Sequence, residues 1–254
     1  IGQYGPLVHL GATIGTSLRV LTKGLLSTDV FLGCGVAGAI SAGFGAPLAG
    51  IIFAHEAILR HFSMRALAPI AIASFTASAV TEKIFHKASV LETNSQAPEL
   101  ANILPATLIC SPIFAVAAIF FMVSIRFFIK IAGQSRIPPT YLIYGGAIIC
   151  GIVGMFFPQI LGLGTQSIVD MLSGNFTLTL VLTILVLKIL MTSLCLSTGL
   201  YGGVFSPALF IGTATGSILG KIFTAFGFLG AGSILPFCGM AAVGGAIIGA
   251  PVTA

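Results

Sequence analysis

The chain has 254 residues, 57% of them apolar and only 7% charged, with a formal net charge of +5; its mean hydropathy is +1.12. A soluble domain carries roughly 25% charged residues, so the composition excludes a surface made for water. The eleven Lys and Arg residues are scattered, which excludes a tract dense enough to follow a nucleic-acid backbone.

In chain order, the first predicted helix starts at Gly5-Pro6, within IGQYGPLVHLGATIG (1–15). Proline in a first turn has its φ pre-set and no N–H to leave unpaired. The other amides of that turn carry the positive end of the helix dipole, and no charged side chain stands beside them. Gly35-Val36-Ala37-Gly38 predicts close helix packing, and GAPLAG (45–50) sets a second Pro among small residues. Lys87–Asn102 is the longest polar stretch, with the charge and turn residues of a solvated loop. Ile103–Ile125 holds 23 residues without a charge, long enough as a helix to cross a hydrocarbon core of roughly 30 Å. Ile137–Val169, Ile189–Gly220 and Ile222–Ala254 also lack Asp, Glu, Lys and Arg. Arg19/Lys23, Arg60/Arg65, Lys83/Lys87 and Arg126/Lys130/Arg136 are placed to anchor at membrane interfaces. The expected class is an all-α, multi-pass integral membrane protein.

The 32 glycines and 12 prolines fall largely inside the apolar stretches. In a bilayer such interruptions are tolerated only where protein buries them or water lines them, which is how transporters end broken helices at a shared ion site. GPLVHLGATIG (5–15) and SPALFIGTATG (206–216) share the spacing P-x-x-x-x-G-x-x-x-G on Pro6/Gly11/Gly15 and Pro207/Gly212/Gly216. Each is followed by a second Pro, in GAPLAG and in GAPVTA (249–254), at Pro-to-Pro distances of 41 and 44 residues. The ordered pair predicts an inverted repeat: residues 1–86 as the later part of one half, 87–102 as the linker, and 103–254 as most of the other. Matching halves imply a longer protein, with about a hundred further residues in front and some forty behind.

Hydrolytic and metal chemistry find no residues to carry them. His55-Glu56 begins like H-E-x-x-H, but position 59 is Leu and His61 is out of register for zinc. Gly162-Leu163-Gly164 lacks the third glycine of a dinucleotide loop. No His and acid pairing singles out a Ser or Thr nucleophile. Cys34, Cys110, Cys150, Cys195 and Cys238 form no C-x-x-C pair and read as small apolar residues. No enzyme activity, metal or cofactor is expected.

Two helix starts remain, Gly2-Gln3-Tyr4-Gly5-Pro6 and Gly202-Gly203-Val204-Phe205-Ser206-Pro207, both free of charge. One helix terminus favours an anion by about 0.3–1 kcal/mol, up to about 2 when partly buried. Several such termini hold a small anion tightly enough to enter and loosely enough to leave. A Lys or Arg at the same spot would trap it.

These motifs resemble the CLC family of chloride channels and transporters. GQYGP is similar to its G-K/R-E-G-P signature and GVFSP to its G-x-F-x-P, while FGAPLAGIIFAHE (44–56) and GAPVTA follow in the family's order. The resemblance implies an inverted-repeat fold of broken, tilted helices, a homodimer with one anion pore per subunit, and a bacterial inner (plasma) membrane setting. It implies chloride and similar small anions as substrate. The implied anion-contacting residues are Gln3, Tyr4, Gly5, Gly203, Val204, Phe205 and Ser206, chiefly through backbone amides.

Two departures from the family pattern bear on mechanism. The gating glutamate falls on Tyr4, whose phenol has an ordinary pKa near 10 and does not ionise easily in a dry site; it still donates a hydrogen bond, and its ring can narrow the route. The inner proton-transfer glutamate aligns with Ala57, with Glu56 matching the acidic position beside it. The expectation is therefore passive, channel-like conduction gated at Tyr4. The alternative is a chloride–proton antiporter with Glu56 or His9 as replacement carriers, and a third reading is a scaffold that moves no anion. Glu56 is expected to pair with Arg60 four residues on, and His55 and His61 to be satisfied or interface histidines.

Overall fold

The computed structural model describes residues 2, 4–22, 26–85, 100–228 and 230–253. Among them lie ten α-helices: α1 (Tyr4–Leu21), α2 (Thr28–Phe44), α3 (Pro47–Phe53), α4 (Met64–Phe85), α5 (Leu100–Gln134), α6 (Pro139–Phe156), α7 (Thr165–Leu172), α8 (Leu178–Ser197), α9 (Phe205–Ala225) and α10 (Ala231–Ile248). A π-helical turn, Ala54–Leu59, continues α3, and a 3-10 turn, Pro158–Ile160, follows α6. Six helices, α4, α5, α6, α8, α9 and α10, are long and apolar enough to cross a membrane. The protein is all-α and multi-pass, as its composition requires. Of the expected 87–102 linker, residues 87–99 lie outside the described residues, and α5 already begins at Leu100.

The chain forms two compact units, one of Tyr4–Glu92 with Ile248–Ala254 and one of Ile1–Gln3 with Thr93–Ile247. The first is built on α1, α2, α3 and α4. Val30, Ala37, Ile51, Ala54, Ala66 and Ile70 make one core cluster, and Val36, Ile40, Phe53 and Ala250 another. In the second unit Cys110, Phe114 and Phe121 of α5 pack with Ile189 of α8, Ile211 and Leu219 of α9, and Leu235 and Val243 of α10. Most of α9 is buried from Ser206 to Gly220, so it is the hub of that unit.

The repeated glycines perform the same physical task in each unit. A Cβ on Gly11 or Gly15 would run into the backbone of α2, at Gly35 and Phe31. A Cβ on Gly212 or Gly216 would run into the backbone of α10, at Gly239 and Leu235. P-x-x-x-x-G-x-x-x-G is thus a helix whose turns, one apart on a single face, touch the backbone of the next helix. The following helix then stops on a left-handed glycine, Gly45 (φ 68°) after α2 and Gly249 (φ 74°) after α10. Gly45 donates its N–H to Ser41 O at 2.8 Å, closing α2 as a C-terminal glycine does. Pro47 then opens α3 at its first position.

Candidate functional site

The start of α9 is assembled from three segments of its own unit. Gly203 donates its N–H to Gly2 O at 2.7 Å, pairing the glycines that precede the two motif helices. Val204 sits just before the helix, 37% exposed. Ala208 closes a helical bond to Val204 O at 3.0 Å, and Pro207 has no N–H to give. The positive end of a largely buried, 21-residue helix is therefore presented at Val204 and Phe205. Ser206 is 2% exposed, and its hydroxyl donates to Leu163 O at 2.8 Å. That hydroxyl is used on the loop before α7.

At the start of α1, Tyr4 is 6% exposed and its ring stacks on Phe44 at 4.0 Å between centroids, 21° from parallel. A Cβ on Gly43 would stand 3.1 Å from the Tyr4 ring and from Leu7, so α2 makes room for the phenol by having no side chain there. Gly5 is half-buried. Gln3, the remaining expected contact, lies outside the described residues.

The expected Glu56–Arg60 pair does not form among the described residues. Arg60 ends the π-helical turn in the left-handed region, at φ 57°, so the regular helix face that would align positions 56 and 60 has already ended. Glu56 instead accepts from the amides of Val252 (2.9 Å) and Thr253 (2.8 Å) and from the Thr253 hydroxyl (2.7 Å). The carboxylate thereby caps the turn that follows Pro251. Burial pushes the carboxyl up, but the bonds from Thr253 and Val252 outweigh it and hold it below the usual carboxylate range. Ala57, beside it, packs in the apolar cluster of Val36 and Phe53. His9 is exposed on α1. His55 is fully buried, with Nδ1 bonded to Ile51 O at 2.9 Å and its ring stacked on Phe62. His61 is exposed, with Nδ1 on Leu59 O at 2.8 Å.

One residue escaped notice in the sequence. Lys188, at the middle of α8, is 2% exposed in a helix long enough to span. An ammonium at the centre of such a helix costs about 2.5–3.5 kcal/mol on insertion scales, and intramembrane charges are correspondingly rare. It donates to Ile160 O at 2.8 Å and Gly162 O at 3.1 Å, and lies 4.9 Å from the Phe210 ring centroid. The available signal was its isolation: a single charge between Leu178 and Gly220.

The whole chain, residues 1–254, matches the family model for the voltage gated chloride channel. It is similar to the H(+)/Cl(-) exchange transporter ClcA of Klebsiella pneumoniae (strain 342), with 31% identity over 269 aligned positions that take in 100% of this chain and 56% of the relative. It is similar also to that of Citrobacter koseri, with 32% identity over 232 positions covering 87% of this chain and 48% of the relative. The chain thus spans about half the length of these relatives. Among solved structures, it superposes on a slow cyanobacterial Cl-/H+ antiporter with a TM-score of 0.85 at 19% identity, over 99% of this chain and 61% of the other. It superposes on a CLC-type fluoride/proton antiporter with a TM-score of 0.81 at 24% identity, over 99% and 63%. The spanning helices, the two proline–glycine motifs in order and these likenesses agree: the chain belongs to the CLC, or voltage gated chloride channel, family, as a multi-pass integral membrane protein of the bacterial inner membrane.

Proposed function

We propose that the protein transports chloride and similar small anions across the membrane, in exchange for protons. The observation that carries this reading is the likeness, over 100% of the chain at 31% identity, to a relative named as an H(+)/Cl(-) exchanger; it favours the antiporter over the passive conduction expected from sequence. The proposed anion-contacting elements are the start of α9, at Gly203, Val204, Phe205 and Ser206, and the start of α1, at Gln3, Tyr4 and Gly5. Helix termini bind an anion weakly without a fixed cation in contact, which suits rapid turnover. The functional unit on this reading is a homodimer in the lipid bilayer, with one anion path per subunit and no cofactor.

The proton needs a carrier. Glu56, committed to three hydrogen bonds, is poorly placed to pick up and release one at neutral pH, which leaves His9 as the candidate. Passive conduction is the second reading: the resemblance of GQYGP and FGAPLAGIIFAHE to the family motifs implies that Tyr4 and Ala57 take its two acidic transfer positions, and neither side chain is a carboxylate. The deciding experiment reconstitutes the full protein in liposomes under a chloride gradient and follows both ions. Uphill proton movement driven by chloride, lost in His9→Ala, supports exchange. Chloride flux with a reversal potential at the chloride equilibrium value supports conduction, and no chloride flux defeats both.

A further inference from the structure

Between the 3-10 turn and α7, the chain makes a loop, Leu161–Gly164, with left-handed glycines at Gly162 (φ 60°) and Gly164 (φ 69°). The loop is held from two sides. Lys188 Nζ, ten residues and thus about 15 Å along α8, donates to the carbonyls of Ile160 (2.8 Å) and Gly162 (3.1 Å). Ser206 Oγ, in the first turn of α9, donates to the carbonyl of Leu163 at 2.8 Å. One turn further along α9, the Phe210 ring lies 4.9 Å from Nζ, and it fills the space where a Cβ on Gly164 would stand, at 2.8 Å. Lys188, the loop, Ser206 and Phe210 therefore form one connected cluster that reaches the first turn of α9 through Ser206.

The chemistry of the cluster is one-sided. Among the described residues no ion pair involves Lys188; its partners are two carbonyl dipoles and a ring face. Carbonyls and a ring solvate an ammonium without cancelling its charge, so a net positive potential remains within the membrane-spanning part of this unit. Lys188 is too enclosed to touch a passing anion, and so it does not trap one.

We propose that Lys188 is a positioning residue for the anion site: it fixes the Leu161–Gly164 loop through the Ile160 and Gly162 carbonyls, the loop fixes Ser206, and Ser206 sets the direction of the α9 amides, while the buried charge favours an anion there. The inference rests on the transport reading given above. It deepens that reading by adding a residue that acts without contact.

The test uses the full protein in liposomes, measuring maximal chloride flux and half-saturating chloride separately, with monodispersity in detergent as the folding control. Lys188→Met is expected to raise half-saturating chloride at least fivefold in folded protein, and Lys188→Arg, which restores charge and donors, to bring it back towards wild type. A folded Lys188→Met with less than a fivefold change, or a loss that Lys188→Arg does not relieve, overturns the inference while leaving the transport reading standing. Should Lys188→Met not fold, Ser206→Ala carries the test: it removes the hydroxyl bond to Leu163 O while keeping the main-chain amide through which Ser206 is proposed to meet the anion. It is expected to raise half-saturating chloride, and overturns the inference if it does not. A wild-type protein that moves no chloride overturns the transport reading and this inference with it.

Discussion

Tyr4 puts a phenol at the start of α1, where the resemblance of GQYGP to the family signature implies a carboxylate. A carboxylate there competes with the anion for the same positive end, whereas a phenol brings no full charge to that competition. The ring is held by stacking on Phe44, and such a pair is worth about 0.5–1.5 kcal/mol beyond its buried area. If that stack is the gate, Tyr4→Phe keeps it and leaves maximal chloride flux within about twofold, while Tyr4→Ala raises flux about tenfold, since tenfold corresponds to ~1.4 kcal/mol of barrier. Liposome efflux measures both, and an unchanged Tyr4→Ala would assign the ring to packing alone. Glu56 makes a different prediction, about stability. Its carboxyl, raised by burial, is lowered further by the Thr253 and Val252 bonds and ends below its ordinary 4.5. A group with a depressed folded pKa contributes stability that is present above the unfolded value and is lost as pH falls through the folded one. Wild type is therefore expected to lose melting temperature relative to Glu56→Gln only below about pH 4.5, in thermal unfolding followed from pH 7 to pH 3. A crossing near neutrality would mean that Glu56 titrates there and would restore it as a proton carrier.

The helices show why the two proline–glycine motifs were legible and other elements were not. P-x-x-x-x-G-x-x-x-G states a helix start and a small-residue face in one pattern, and both features are local consequences of residue type: proline pre-sets the first turn, and glycine permits backbone contact. The short elements carry no such pattern. The π-helical turn Ala54–Leu59 keeps an ordinary apolar sequence and differs only in its hydrogen-bond register, so an α-helical i,i+4 reading paired Glu56 with the wrong partner. The true partner lies 196 residues away at Val252, a distance that no periodicity can report. The close-packed faces yield a direct test. Gly11→Ala and Gly216→Ala each place a methyl against backbone that cannot rotate away, at Gly35 O and Leu235 O, and overpacking of this kind costs about 1–3 kcal/mol. Gly151→Ala meets nothing within 4 Å and is expected to stay within about 0.5 kcal/mol of wild type. Thermal unfolding in detergent compares the three; equal melting temperatures would mean that the helix pairs relax apart at no cost.

At the scale of the whole molecule, membrane class and family were open to reading because both rest on features distributed along the chain: the scarcity of charge and the order of four proline motifs. The partners of Lys188 were not, because this one lysine reaches Ile160 and Gly162 across a fold that composition does not reveal. If the start of α9, with the enclosed Lys188 ammonium near it, binds an anion as proposed, there is a consequence for the entire folded state. Unfolding disperses the helix termini and releases the lysine, so an anion that binds there binds the native protein and not the unfolded chain. Binding then stabilises the fold by RT ln(1 + [L]/Kd), which is about 1.4 kcal/mol at ten times Kd and about 2.7 kcal/mol at a hundred times. Replacing a large, impermeant anion with chloride at constant ionic strength is expected to raise the melting temperature of the full protein by a few degrees and to saturate with concentration. A general salt effect would continue to climb without saturating, and would be shared by Lys188→Met. A melting temperature indifferent to chloride would favour the scaffold that moves no anion, since a protein that transports chloride through a binding site must hold it, however briefly.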